Sequence, residues 1–219
     1  MKDFVFHAVP GSPFARSAYA ALIEKGTAFR ITPLAPGASK QPAHMERHAF
    51  GRIPVLDHGD FRLYETAAIL RYIDRVLPTP PLTPADPQMA ARMDQVMSIN
   101  DWYLFNGVNN VIGFQRIVKP RLLGIPADED AVAAALPKAH AVINELSRLL
   151  GRHDYFAGAN VSLADLLVMP QLDFLAATPE WAILSASVPN IVAWLGRMNE
   201  RPSMQATTWE KVAALANAA

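Results

Sequence analysis

Phe50-Gly-Arg-Ile-Pro-Val-Leu-Asp-His-Gly-Asp-Phe-Arg-Leu-Tyr-Glu-Thr-Ala-Ala-Ile-Leu-Arg-Tyr-Ile-Asp74 sets Pro54 beside an apolar strand and the polar pair Glu65-Thr66 at the mouth of a helix. A proline in a strand marks an edge or a bulge, because it cannot donate to the ladder. If the Ile53-Pro54 bond is cis, the chain turns sharply at Ile53, and its main-chain N–H and C=O can face a ligand rather than a strand. Helix N-termini attract anions, and Glu65-Thr66 opens one. A peptide with a free carboxylate and exposed main-chain groups fits between the two. Apolar runs at 53–56 and 61–63 flank Asp57-His-Gly-Asp60, a hairpin signature with His58-Gly59 at its centre.

Upstream, residues 2–7 carry Phe4, Val5 and Phe6 as a short buried strand would. Residues 13–25 read as a helix: Phe14, Ala18, Leu22 and Ala15, Tyr19, Ile23 line one broad face, Pro13 suits the first helical position, and Gly26 suits the stop. A second strand is expected at 28–32 and a weak helix around 42–47. Residues 66–76 place Ile69, Tyr72, Ile73 and Val76 on one helical face. The order β-α-β-(α)-β-β-α in 77 residues describes an α/β unit.

Five prolines between Pro78 and Pro87 then interrupt the pattern, as in a semi-extended connector. The expected division is 1–77, a linker at 78–87, and a helical domain at 88–219. Within the last, one long amphipathic segment runs to about residue 118 and ends at Pro120. A second spans 127–150, with Gly151 as its stop. Ser162-Leu-Ala-Asp165 forms a capping box before an apolar run, and a final helix from Pro189 carries Trp194 and Met198.

Composition restricts function. The 219 residues are 51% hydrophobic, ample for packed cores, and twenty basic residues balance twenty acidic ones without a long run of either sign. Such a surface lacks the electrostatic footprint of a nucleic-acid or anionic-membrane binder. Neither a signal-peptide core nor a run of 18 apolar residues occurs, so a cytoplasmic address is expected. The chain has no cysteine, which removes every mechanism in which the protein supplies a thiol. Any thiol chemistry here uses the substrate's sulfur.

Over nearly its whole length the chain resembles a cytosolic glutathione transferase of the serine type. Gly11-Ser-Pro-Phe14, Arg16 and Glu24-Lys-Gly26 look like the start of tau- and phi-class enzymes. Phe50-Gly-Arg-Ile-Pro-Val55 is similar to that family's segment around its cis-proline, and Glu65-Thr66 to its Glu/Gln-Ser/Thr pair. Ser162 to Asp165 resembles its capping box, and the stretch from Pro189 to Arg201-Pro202 its late Trp-Leu-x-Arg-Met-x-x-Arg-Pro pattern. Two departures stand out: His48-Ala49 replaces the usual Asn-Pro, and Ser39-Lys40 stands where phi-class chains often have His-Lys. The resemblance implies an α/β plus all-α fold, with a thioredoxin-like N-terminal domain followed by an all-helical one. It also implies a homodimer that conjugates glutathione, its co-substrate, to apolar electrophiles, with no metal, no nucleic acid and no membrane.

Under that resemblance Ser12 is the candidate catalytic residue. A thiol with a pKa near ~8.5 is mostly protonated at neutral pH, and lowering it by about two units needs ~2.7 kcal/mol of preference for the anion. A hydroxyl donating to sulfur at a helix N-terminus supplies much of this. The alternative is that Ser12 only caps the helix, since Ser-Pro is a common helix start, and the two roles are expected to compete for the hydroxyl. Glu65 is placed opposite the γ-glutamyl ammonium and Thr66 on its carboxylate, against plain helix capping for the latter. Ile53, next to Pro54, offers its main chain to the cysteinyl unit, and Lys40 pairs with the glycyl carboxylate or is simply a solvated loop lysine. Phe14 with Trp102, Tyr103, Phe105 and Phe114 are candidates for the electrophile pocket, although aromatics at this spacing also build cores. Phe50 either inserts into a partner subunit or folds onto its own domain. Arg16 could add positive potential or form an ion pair, His7 reads as structural, and Tyr19 lies too deep for catalysis. A non-catalytic binding module and a glutathione-dependent isomerase or peroxidase remain as alternatives on the same fold.

Overall fold

The computed structural model describes residues 2–35 and 37–217. The chain divides into two compact units, Met1–Leu82 with Asn199–Ala219, and Thr83–Met198. The first break falls inside the Pro-rich stretch. The second differs from the division expected from sequence, because residues from 199 onward group with the N-terminal unit rather than with 88–198. The reason is polar. Glu24 accepts from Arg201 at 2.7 and 2.9 Å and from the Ser203 hydroxyl at 2.5 Å, and Arg16 donates to the Met204 carbonyl at 3.2 Å.

In the first unit, β1 (Phe4–Ala8), β2 (Phe29–Pro33), β3 (Val55–His58) and β4 (Phe61–Tyr64) form a mixed sheet of order β2-β1-β3-β4. β1 runs parallel to β2 and antiparallel to β3, and β3 is antiparallel to β4. This is a thioredoxin-like arrangement. Helices α1 (Pro13–Glu24), α2 (Pro42–Met45), α3 (Thr66–Val76), α9 (Pro202–Ala206) and α10 (Trp209–Asn217) complete the unit. The core is built from Phe4, Phe6, Tyr19, Leu22, Leu56, Ile69, Leu70 and Ile73. Each such large side chain contributes roughly 1.5–3 kcal/mol by leaving water. On α3 the buried stripe is Thr66, Ile69, Leu70 and Ile73. Tyr72 instead turns its hydroxyl to His58 Nδ1 at 2.8 Å, and Val76 is exposed. The hairpin pairs His58 with Phe61, so its two central residues are Gly59-Asp60, one position later than expected. Gly59 sits at φ 63°, where a side chain would be strained.

The Pro-rich stretch is anchored at its start. Lys25, fully buried at its side chain, donates to Asp74 and to the Pro80 carbonyl, both at 2.5 Å, and Asp74 accepts from the Leu82 N–H at 2.9 Å.

The second unit is helical: α4 (Pro87–Ile99), a segment of wide, π-type turns at Asn100–Leu123, α5 (Glu129–Leu150), α6 (Leu163–Ala176), α7 (Trp181–Ser185) and α8 (Pro189–Asn199), whose last residue belongs to the first unit. The single long helix expected before Pro120 is broken. Asn106 (φ −75°, ψ 110°) and Gly107 (φ 88°) leave helical geometry, and Lys138 donates to the freed Asn106 carbonyl. The helical turns then pass through Pro120 and stop at Gly124, which takes the left-handed conformation. α5 begins at an Asp128 cap, and Gly151 ends it. The capping box of α6 is present. Its Asp165 is fully buried and accepts from the Ser162 N–H and hydroxyl, the Phe156 N–H and the Trp194 indole at 2.7–2.9 Å. Burial pushes this carboxyl toward protonation, and the four donors oppose it.

Candidate active site

The register gathers the candidate residues of the first unit at one end of the sheet. His7 pairs with Val55, and Val55 with Tyr64. The exit of β1, the start of β3 and the exit of β4 are therefore neighbours. β2 runs parallel to β1 with Ala8 beside Pro33, so it exits at the same end. Four connections meet there: 9–12 with Ser12, 34–41 with Lys40, 52–54 with Ile53 and Pro54, and Glu65 at the start of α3.

Ser12 is the N-cap of α1, extended at φ −61° and ψ 124°, and its Oγ accepts from the Ala15 N–H at 3.4 Å. The cap is one of the two roles expected for Ser12. A hydroxyl has one donor hydrogen and two acceptor lone pairs, and the cap uses a lone pair. The hydrogen remains for an acceptor outside the helix, at the positive end of α1. Gly11, before it, takes φ 90°, and the Trp209 ring lies directly against it. Trp209 is half exposed and escaped the sequence reading, since nothing near it in sequence signals a site.

The Ile53-Pro54 bond is cis, as expected from the sequence. Among the described residues, Ile53 makes no main-chain hydrogen bond outside the ladder. Lys40, exposed, donates from Nζ to the Phe50 carbonyl at 3.0 Å. Gly51 packs against the Ser39 carbonyl, the Lys40 side chain and Met45, where a Cβ would come within 2.6–3.1 Å of all three. The two loops at this corner are thus in contact.

Glu65 is the one non-glycine residue with positive φ among the described residues, at φ 69° and ψ 112°. Such conformations cost of order 1–3 kcal/mol and persist where surrounding structure imposes them. Glu65, rather than Thr66, is the N-cap of α3, and its side chain makes no capping bond. Plain capping by Thr66 is therefore not what the structure contains: Thr66 is the first helical residue and is buried. The helix opens with no side-chain cap from Glu65, whose carboxylate is largely exposed and 4.0 Å from His48 Nε2. His48 is 2% exposed. The sequence showed it only as a departure from Asn.

The remaining candidates separate. Phe50 is 64% exposed and packs edge-on against His48 with ring centroids 6.0 Å apart. Arg16 reaches Met204, as described above. His7 is buried and bonded through Nε2 to Asp57 Oδ2 at 2.9 Å. Burial lowers its proton affinity, with Asp57 opposing. Asp57 is in turn held by Arg62 and Arg47. Tyr19 is buried, stacks on Phe29, and has its hydroxyl pushed far up in pKa by burial, so it cannot ionise near neutrality. Phe14 is half-buried on α1 of the first unit. In the second unit Trp102 and Tyr103 are exposed, Phe114 is 37% exposed and Phe105 is half-buried. These four aromatics are not core, which belongs there to Leu104, Val108 and Ile112.

Among the described residues, no group of three His, Asp or Glu side chains could hold a metal, and no helix is long and apolar enough to cross a membrane. Comparison with known proteins agrees with the fold. The model of the glutathione S-transferase N-terminal domain matches residues 4–75 and that of the C-terminal domain residues 111–202. Glutathione S-transferase 1 of Zea mays is 34% identical over 197 residues, covering 89% of this chain and 88% of its own length. A probable glutathione S-transferase of Oryza sativa subsp. japonica is 33% identical over 188 residues, 85% and 86% of the two chains. A solved structure of glutathione S-transferase I bound with the ligand lactoylglutathione superposes with a TM-score of 0.82 at 31% identity, over 97% of this chain and 99% of that one. With both domain models matched in order and relatives of this identity covering most of its length, the chain belongs to the glutathione S-transferase family.

Proposed function

We propose that this chain is a serine-type glutathione transferase that ionises bound glutathione and directs its sulfur at an apolar electrophile. The observation that carries the reading is the pairing, at one end of the sheet, of two differently prepared helix starts. α1 is capped through a Ser12 lone pair, which leaves the hydroxyl hydrogen to donate. α3 opens at a strained Glu65 with no side-chain cap.

In this reading the tripeptide lies across that end. The γ-glutamyl carboxylate meets the uncapped start of α3 and the Thr66 hydroxyl, and its ammonium meets Glu65. The Ile53 main chain, beside Pro54, receives the cysteinyl unit, and Lys40 receives the glycyl carboxylate. The sulfur then sits at Ser12, whose hydroxyl and helix start favour the thiolate, the thiol proton passing to solvent. In displacement the thiolate forms a C–S bond as the leaving group departs with its electron pair. In addition to an enone, the electron pair moves onto the acceptor and a solvent proton completes the product. Phe14, half-buried on α1, supplies apolar surface for the electrophile. A homodimer anchored by Phe50, a cytoplasmic address and a detoxifying role go with this reading.

The test is ultraviolet difference spectroscopy at neutral pH. Glutathione added to the protein should produce thiolate absorbance at stoichiometric ligand, together with conjugation of at least one of a halide, an epoxide or an enone. Binding without thiolate would leave a passive module, and no binding would end the proposal.

A further inference from the structure

His48 stands in the loop between α2 and Phe50, yet it is as buried as the core. Its ring stacks on Tyr64 with centroids 4.2 Å apart and planes 27° apart, and Tyr64 is the last residue of β4, directly before Glu65. Nδ1 receives the Phe50 N–H at 3.2 Å. A main-chain N–H is always a donor, so Nδ1 presents its lone pair and a neutral ring carries its hydrogen on Nε2. That nitrogen faces the Glu65 carboxylate at 4.0 Å, an electrostatic contact longer than a hydrogen bond, and among the described residues Glu65 forms no other ion pair. The Phe50 ring lies nearly perpendicular to the imidazole, at 73° between planes.

We propose that His48 is a positioning residue, a neutral Nε2–H imidazole that orients the Glu65 carboxylate for the ammonium of glutathione and, through the Phe50 N–H, ties that carboxylate to the exposed Phe50 loop. The inference rests on the reading of Glu65 given above. It gives a residue at positive φ, with no cap to its own helix, a partner for its side chain.

A pH dependence follows from the geometry. Protonation puts a hydrogen on Nδ1, facing the Phe50 N–H, and two donors cannot bond each other. Glu65 favours the charged ring. Burial disfavours it, as do His44 from α2, Arg52 from the loop beyond Phe50, and Lys40 from the opposite loop. Burial prevails, so the ring stays neutral through neutrality, and the tie is lost only as pH falls below the ordinary imidazole range.

The test uses S-methylglutathione, which has no thiol to titrate. Its Kd is measured calorimetrically between about pH 5 and pH 8 for the wild type, for His48→Phe, which keeps the stacked ring without nitrogens, and for His48→Asn, which can still accept the Phe50 N–H. We expect Kd to rise about 10-fold in His48→Phe at neutral pH, with turnover at saturating glutathione within about threefold, and an acidic loss of affinity in the wild type that the Phe variant lacks. His48→Asn should fall between them. Long-range proton–nitrogen correlation spectra of the wild type need no variant and should show the Nε2–H tautomer. A wild-type Kd and acid limb in folded His48→Phe, or an Nδ1–H tautomer, would overturn this inference while leaving the transferase reading in place. A wild type that binds no S-methylglutathione would overturn both.

Discussion

The Trp209 ring lies across Gly11 so closely that a Cβ on Gly11 would fall 1.8 Å from Trp209 Cε3. Gly11 also sits at φ 90°, so its lack of a side chain is required twice, once by the backbone and once by the indole. The C-terminal helix α10 thereby touches the turn that presents Ser12.

Gly11→Ala is expected to cost about 2–4 kcal/mol, combining strain at positive φ with overpacking against the indole. Trp209→Ala in the same chain should recover the overpacking part and leave the strain. Urea unfolding of the two single variants and the double variant reads this as coupling. Strictly additive effects would show that the ring does not rest on Gly11 in solution.

Ser12→Ala should lower turnover about 10²-fold or more while glutathione affinity stays within a few-fold, since the lost donor acts on the developing anion. It should also cost about 1 kcal/mol of stability through the lost cap. Reduced stability with unchanged turnover, in an assay limited by chemistry, would leave Ser12 as a cap alone.

Glu65→Ala and Thr66→Ala should act on binding, weakening glutathione roughly ten- to a hundred-fold, the usual cost of a charge-assisted contact. Turnover at saturation should change little because neither group is assigned to the sulfur. Calorimetry giving wild-type affinity in both would remove the γ-glutamyl assignment.

The docking of residues 199–217 should weaken in acid. Burial works against ionisation of Glu24, yet hydrogen bonds from Arg201 and Ser203 outweigh it and hold the carboxyl below the usual range. A carboxylate with a lowered folded pKa adds stability above its unfolded value of about 4.3 and loses it as pH falls through the folded one. Glu24→Gln should therefore cost about 2 kcal/mol at neutral pH and flatten the acid decline. Denaturation midpoints at pH 7 and at about pH 3 measure both; an equal gap between wild type and variant at the two pH values would contradict the assignment.

Phe50→Ala is expected to weaken a homodimer, because a large exposed aromatic that inserts into a partner contributes about 1.5–3 kcal/mol per site, and a two-fold axis makes the contact twice. Sedimentation across a dilution series would show the higher dissociation constant. Equal constants with preserved helicity would leave Phe50 as a surface residue.

Local signals are legible in the sequence alone. Pro13 at the start of α1, Gly151 at the end of α5, the Ser162–Asp165 capping box and the apolar runs flanking the hairpin each act over a few residues, so the sequence contained them. The break at Asn106-Gly107 was not read, because apolar periodicity continues on both sides and Lys138, which satisfies the freed carbonyl, is remote in sequence. Helix α10 was missed for the same kind of reason: its anchors, Gly11 and β2, lie at the other end of the chain.

For the site, the sequence by itself determined the residue types and their order: a hydroxyl before a helix, a proline before a strand, and an acidic and hydroxyl pair before another helix. Only the tertiary structure decided how those groups are used. The register of β1, β3 and β4 brings the three segments to one end. The cap geometry shows the Ser12 Oγ accepting from the Ala15 N–H, and Glu65, at positive φ, makes no side-chain cap to its own helix. His48 was decided there too, since its role follows from which nitrogen faces a main-chain N–H and which faces a carboxylate. Composition and periodicity report how often a side chain is buried. Hydrogen-bond direction is set by the atoms that long-range packing places within about 3 Å, and no local pattern encodes it.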